Sequence, residues 1–233
     1  MREVMPVARV LARLLCACFS PLFVIGLGGC AANDNAQTAD SSETGLDQAI
    51  ADTMSDARRA LAEHGETPAA MERIQAALGR LAQHRGLRGR APAGDLHGSS
   101  TMKAEILASD GDAALTLIYV RFFAGSATPV HDHLTWGALH VIEGDDRYTE
   151  WERTDDRSNP EIATLRAKRE LVLRPGDSVN WFAPPHDLHS QAPVSGDVTE
   201  LVIAGKNLLG ESVLRHRHNF DPKTGRVTQP KPR

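Results

Sequence analysis

Beyond residue 100 the chain breaks into short apolar and β-branched runs separated by turn residues, and this punctuation limits the possible folds more than any other feature. The runs span residues 115–123, 136–142, 148–153, 170–173, 178–182, 198–203 and 212–216. None carries a helical stripe, and their content suits a pleated, buried surface. Turn signals stand among them: Ser109-Asp110-Gly111-Asp112, Glu143-Gly144-Asp145-Asp146, Pro175-Gly176-Asp177 and Pro193-Val194-Ser195-Gly196. Many short strands with regular turns and no helix between them predict a β-sandwich or barrel.

The preceding part has a different period. Leu46, Ile50, Met54, Ala57 and Leu61 are spaced by four, four, three and four, one stripe of an amphipathic helix. Thr67-Pro68 offers an N-cap followed by proline at the first helical position, and Met71, Ile74, Leu78 and Leu81 form a second stripe. Both stripes are expected to pack on the domain. Residues 85–100, with four glycines and a proline, read as a loop.

The first 29 residues look like a targeting segment. Arg2, Arg9 and Arg13 precede an apolar run over 14–29 that contains Pro21 and ends in Leu27-Gly28-Gly29-Cys30. The run falls short of the ~20 residues of a membrane-spanning helix and fits the short core of a secretory signal. Leu-Gly-Gly-Cys resembles the lipobox of bacterial lipoproteins, which implies acylation of Cys30 as the new N-terminus and a permanent lipid anchor. Ala31 after the cysteine implies the outer membrane, facing the periplasm. Cys16 and Cys18 leave with the signal, so the mature chain has no second cysteine for a disulfide. Residues 30–45 contain no large apolar side chain and are expected to be a flexible tether. The signal takes three Arg and one Glu with it, so the net charge goes from −4 to −6. With 5% aromatic residues as well, the chain lacks both means of holding nucleic acid, phosphate neutralisation and base stacking.

Seven of the ten histidines lie between residues 131 and 218. His131 and His133, two apart, share one face if they lie on a strand, and their imidazoles can then converge on an ion. A surface pair remains the alternative until the frame is considered. Gly125, His131, His133, Gly137 and Gly144 are separated by five, one, three and six residues. Later come Gly176, Pro184 and His189, with His186 between the last two.

The first set resembles the first motif of the cupin superfamily, and the second set its second motif, with a longer spacer and His186 where that motif has glycine. In most cupins the place of Gly137 is a glutamate ligand. Glycine there, within His131-Asp132-His133-Leu134-Thr135-Trp136-Gly137, is similar to the thiol dioxygenase branch of cysteine dioxygenase and 3-mercaptopropionate dioxygenase. The resemblance spans residues 102–217. It implies a mainly β fold, a double-stranded β-helix or cupin barrel, here with two N-terminal helices. It also implies Fe(II) held by His131, His133 and His189, with a small thiol and O2 as substrates and a sulfinate as product. Three neutral ligands leave positions open and leave the ion its full charge, which favours a thiolate.

The chain also departs from that branch. The Ser-x-His-x-Tyr relay on a late strand corresponds to Glu200, Val202 and Ala204, anchored on Gly205. Glu200 is either a replacement acid or base near the metal or an outward carboxylate on a solvated strand, the commoner fate of a glutamate. Arg215 and Arg217 are candidates to hold a substrate carboxylate, since the guanidinium fork matches it. Two apart, they share a face if 212–216 is a strand. His140 and His186 are expected to be structural, and Trp136 to pack in the barrel wall. The expected organisation is a signal over 1–29, a tether over 30–45, a helical segment and loop over 46–100, the cupin domain over 101–220 and a tail over 221–233. A non-catalytic metal- or ligand-binding cupin, or a non-redox metal enzyme, stays open beside the oxygenase.

Overall fold

The structure, a computed structural model, describes residues 34–93 and 101–229. The expected signal, Cys30 and part of the 85–100 loop lie outside the described residues. The elements run α1 (Asp34–His64), α2 (Pro68–Ala82), β1 (Met102–Ser109), β2 (Thr116–Phe122), β3 (Val130–His131), β4 (Gly137–Arg153), β5 (Leu165–Leu173), β6 (Ser178–Trp181), β7 (His189–Ala204), α3 (Glu211–His216), β8 (Asn219–Phe220) and β9 (Val227–Thr228). The fold is mainly β, a barrel of antiparallel strands with two helices on its N-terminal side.

Two long strands form its spine. β7 pairs with β4 along most of its length and with β2 and β3 on its other edge, while β4 also takes β5 and β6. Period-2 alternation divides each strand between two cores. Leu117, Tyr119, Leu201 and Ile203 point outward against Met54, Met71, Ile74 and Leu78 of the two helices. Ile118, Val120, Phe122, Val198 and Val202 point into the lumen with Leu139, Tyr148 and Trp181. Covering both faces explains why β2 is apolar without alternation. The Tyr119 hydroxyl reaches the carbonyl oxygens of Leu87 (2.8 Å) and Arg90 (2.9 Å), tying the loop after α2 to the sheet.

Several expectations need correction. Helix α1 starts at Asp34, inside the stretch expected to be a tether. Apart from two threonines, residues 34–45 hold no β-branched residue, and extending a helix from a packed nucleus adds one hydrogen bond per residue fixed. Thr67 precedes α2 in an extended conformation but its side chain makes no capping bond. The expected strands at 136–142 and 148–153 are one strand, β4, with irregular register between Val141 and Asp146. Gly144 lies at φ +79°, where a Cβ would come within 2.1 Å of the Asp197 carbonyl oxygen, so the apparent turn is a glycine kink within a strand. The expected turn at 193–196 is likewise inside β7, and β1 fills a span in which no strand was expected. Residues 212–216 belong to α3, not to a strand. The tail contributes β9, which pairs with β8.

Candidate metal centre

His131 ends β3 and His189 begins β7, and the two residues sit directly opposite each other in the ladder. His133 lies beyond β3, so its position owes nothing to strand periodicity. Leu134, in the left-handed region at φ 57°, turns the chain there. The Asp187 carboxylate accepts the backbone N–H groups of His133 (3.0 Å) and Leu134 (2.7 Å), pinning this turn to the strand that delivers His189.

The three rings meet. His133 Nε2 lies 3.1 Å from His131 Nε2 and 3.2 Å from His189 Nε2. All three residues are buried, and one ligand nitrogen from each falls within 4.8 Å of the others. Burial, then the Arg217 charge, holds His131 and His189 low, His189 down to about 3. Burial also holds His133 low, with its two imidazole neighbours adding to the effect. The rings are therefore neutral at physiological pH. His131 Nδ1 donates to the Pro129 carbonyl oxygen (2.9 Å), which leaves its Nε2 as a lone pair facing the cluster. Three neutral imidazoles turned onto one another fit a borderline divalent cation, and this donor set suits iron, zinc, copper or nickel.

Among the described residues no carboxylate joins this group of ligand atoms. Gly137 lies directly opposite Trp181 in the β4–β6 ladder, and a Cβ on Gly137 would come within 2.1 Å of the indole. The same indole stacks on His133 (centroids 5.0 Å, 25°) and lies 4.8 Å from His189, while Tyr148 stacks on the His189 ring at 5.0 Å. The space beside Gly137 that a larger side chain would need is thus closed by an aromatic side chain.

The cluster opens on a cavity of about 190 Å³ in the barrel lumen, walled mainly by Ile118, Val120, Phe122, Leu139, Val202 and Leu208. This is below the ~300 Å³ of the smallest drug-sized pockets. Arg217 lines it too. Its guanidinium is largely buried; Nε has no hydrogen-bond partner, and a terminal nitrogen reaches Asn219 Oδ1 only at 3.5 Å. Asp132 holds this segment in place through the backbone N–H of His218 (2.6 Å) and its Nδ1 (2.7 Å).

Of the other predicted residues, Arg215 lies exposed on α3 beside Glu211 (3.2 Å) and does not line the cavity. The shared face expected for Arg215 and Arg217 fails because a helix, not a strand, precedes Arg217. Glu200 is not outward and solvated: it is fully buried and accepts a hydrogen bond from Gln191 Nε2 at 2.9 Å. His140 bonds Ser178 Oγ (2.7 Å), and Trp136 packs with the helical core, away from the lumen. Trp181, Asp187, Tyr148, Gln191 and Asp146 were missed. Only Gly137 hinted at one of them, since a glycine in a strand often marks a close approach.

No model of a known protein family matches the chain, and no curated protein does. Among solved structures it is similar to KdgF from Halomonas sp., at 16% identity and TM-score 0.36 over 47% of this chain and 82% of that one. A cupin superfamily protein from Desulfitobacterium hafniense is 18% identical, with TM-score 0.34 over 47% and 81% of the two chains. A cupin-like protein from Thermotoga maritima is 21% identical, with TM-score 0.37 over 53% and 84%.

Proposed function

We propose that this protein is a mononuclear non-haem iron oxygenase of the thiol dioxygenase type, converting R–SH and O2 to R–SO2H at the His131, His133 and His189 cluster. The observation that carries the reading is the ligand set itself: three buried, neutral imidazoles with Trp181 closing the place of a fourth, carboxylate ligand. When bound, Fe(II) supplies the acidity that ionises a thiol and the electrons that activate dioxygen. The protein residues do the rest. His131, kept in one tautomer by Pro129, and His133, whose backbone Asp187 holds, would with His189 supply the ring nitrogens that hold the ion. Arg217, a buried cation with an unpaired Nε, is placed to receive a substrate carboxylate, and desolvation strengthens that pairing. The apolar lumen keeps water from the reacting sulfur.

One observation favours a second reading. The relay positions hold Glu200, Val202 and Ala204, with no hydroxyl, imidazole or phenol, as a cupin that binds metal or ligand without turnover would. Oxygen consumption by the iron-loaded protein against a panel of small thiols decides between them. Uptake with at least one thiol, accompanied by its sulfinate, is the expected result. Uptake no faster than that of free iron with every thiol would overturn the oxygenase reading in favour of the binder. The same proposal places the protein in the cell envelope, lipid-anchored through Cys30. Cys30→Ala should move it from the membrane fraction to the soluble fraction.

A further inference from the structure

Besides the imidazoles and Arg217, the cavity is lined by Gln191, two residues past His189 on β7. Its Nε2 donates to Asp146 Oδ2 (3.0 Å) and to Glu200 Oε2 (2.9 Å), which uses both amide hydrogens. The amide oxygen makes no hydrogen bond among the described residues, and it is absent from the buried atoms that lack a partner. It is therefore accessible, and the accessible space beside this buried residue is the cavity.

The two carboxyls behind it set the direction of the amide. Asp146 and Glu200 are both fully buried, and no arginine, lysine or histidine pairs with either among the described residues. The groups facing them are the Tyr148 phenol on β4, Gln191 and the Ala192 backbone N–H (to Asp146 Oδ1, 3.1 Å) on β7, and the apolar Val120 and Val141 on either side of Glu200. Two buried like charges without a cation do not both persist, so the pair holds at least one proton. Burial pushes both carboxyls above their ordinary range, so the pair shares its remaining charge, and both present an oxygen to the Gln191 amide. A charged acceptor draws the N–H side of the amide inward, and the oxygen must then face the cavity. The cavity is thus lined by a positive group, Arg217, and by an acceptor backed by the acid pair, with mainly apolar side chains completing its walls.

Resting on the thiol oxygenase reading for the sulfur alone, we propose that Gln191 determines specificity by accepting a hydrogen bond from the ammonium group of a small amino-carboxylate whose carboxylate lies on Arg217. The Asp146–Glu200 pair acts through Gln191 as a positioning element. The recognised ligand is a zwitterion small enough for about 190 Å³.

Calorimetric binding to the purified protein tests this with two matched pairs: cysteine against 3-mercaptopropionate, and alanine against propionate. Wild type should prefer the amino member by about tenfold or more, the range of a hydrogen bond to a charged group. Gln191→Leu should bring the members of a pair to within about twofold, while Arg217→Leu weakens both alike. Asp146→Asn, which leaves Gln191 in place and removes a carboxylate from the pair that orients it, should lower the same preference and guards against misfolding of the leucine variant. Equal affinity in wild type, or a preference that survives Gln191→Leu and Asp146→Asn, overturns the assignment, as does binding of none of the four. A preference confined to the sulfur-free pair upholds Gln191 while counting against the thiol.

Discussion

Replacing Glu200 by glutamine would expose the energetic cost of the buried acid pair. In the unfolded chain a glutamate ionises near pH ~4.3. In the folded protein, burial and the neighbouring Asp146 charge hold the Glu200 carboxyl well above that range. Between these two values the folded state carries a proton that the unfolded state has released, so stability falls as pH rises through the window. The loss accrues at ~1.4 kcal/mol per pH unit and reaches at most about 4 kcal/mol at pH 7, with the folded carboxyl still protonated. Asp146, pushed up to about 6, adds a loss between about pH 4 and 6 that both proteins share. Glutamine keeps the shape and the acceptor for Gln191 and has no proton to hold. Glu200→Gln should therefore match wild type near pH ~4.5 and exceed it by up to about 4 kcal/mol at pH 7. Urea unfolding at a series of pH values, followed by tryptophan fluorescence, reads this directly, since Trp136 and Trp181 are both buried. A stability difference that stays flat across that range would refute the argument, because it would mean that Glu200 is ionised in the folded protein.

The other predictions concern the metal centre and its walls. His189→Ala should abolish binding of one equivalent of Fe(II), measured by equilibrium dialysis; full occupancy would show that the ligand set is wrong. Asp187→Ala frees the His133 and Leu134 N–H groups and should weaken metal affinity by about tenfold or more without removing a ligand. Gly137→Ala drives a methyl into the Trp181 indole and should cost about 3 kcal/mol in urea unfolding, with most of that loss relieved when Trp181→Ala is added. Arg217→Ala should raise KM for carboxylated thiols by about tenfold or more and leave uncharged thiols unaffected, whereas exposed Arg215→Ala should change neither.

What could be read from the chain and what could not divide along a physical line. The β2 and late β7 segments were legible because both of their faces are covered, so burial is written into consecutive residues. The histidine cluster was legible because the spacing of its members had singled them out together. Local appearance misled where a residue served a tertiary need: Gly144 suggests a turn, yet it lets β4 pass the Asp197 carbonyl and remain one strand. Glu200 has the type of a surface residue, and nothing near it in sequence says that Asp146, fifty-four positions earlier, shares its amide donor. Gly137 is the sharpest case. Its type alone told that a ligand was missing, but the occupant of the vacated place, Trp181, follows only from the register of β4 against β6. That register is the outcome of packing both strands around the lumen, and a shift by one residue would send Trp181 to the other face. The shape of the three-histidine cluster therefore rests on strand pairing as much as on the histidines, so a change along β6 that altered the register would let the cluster lose its walls with every imidazole intact.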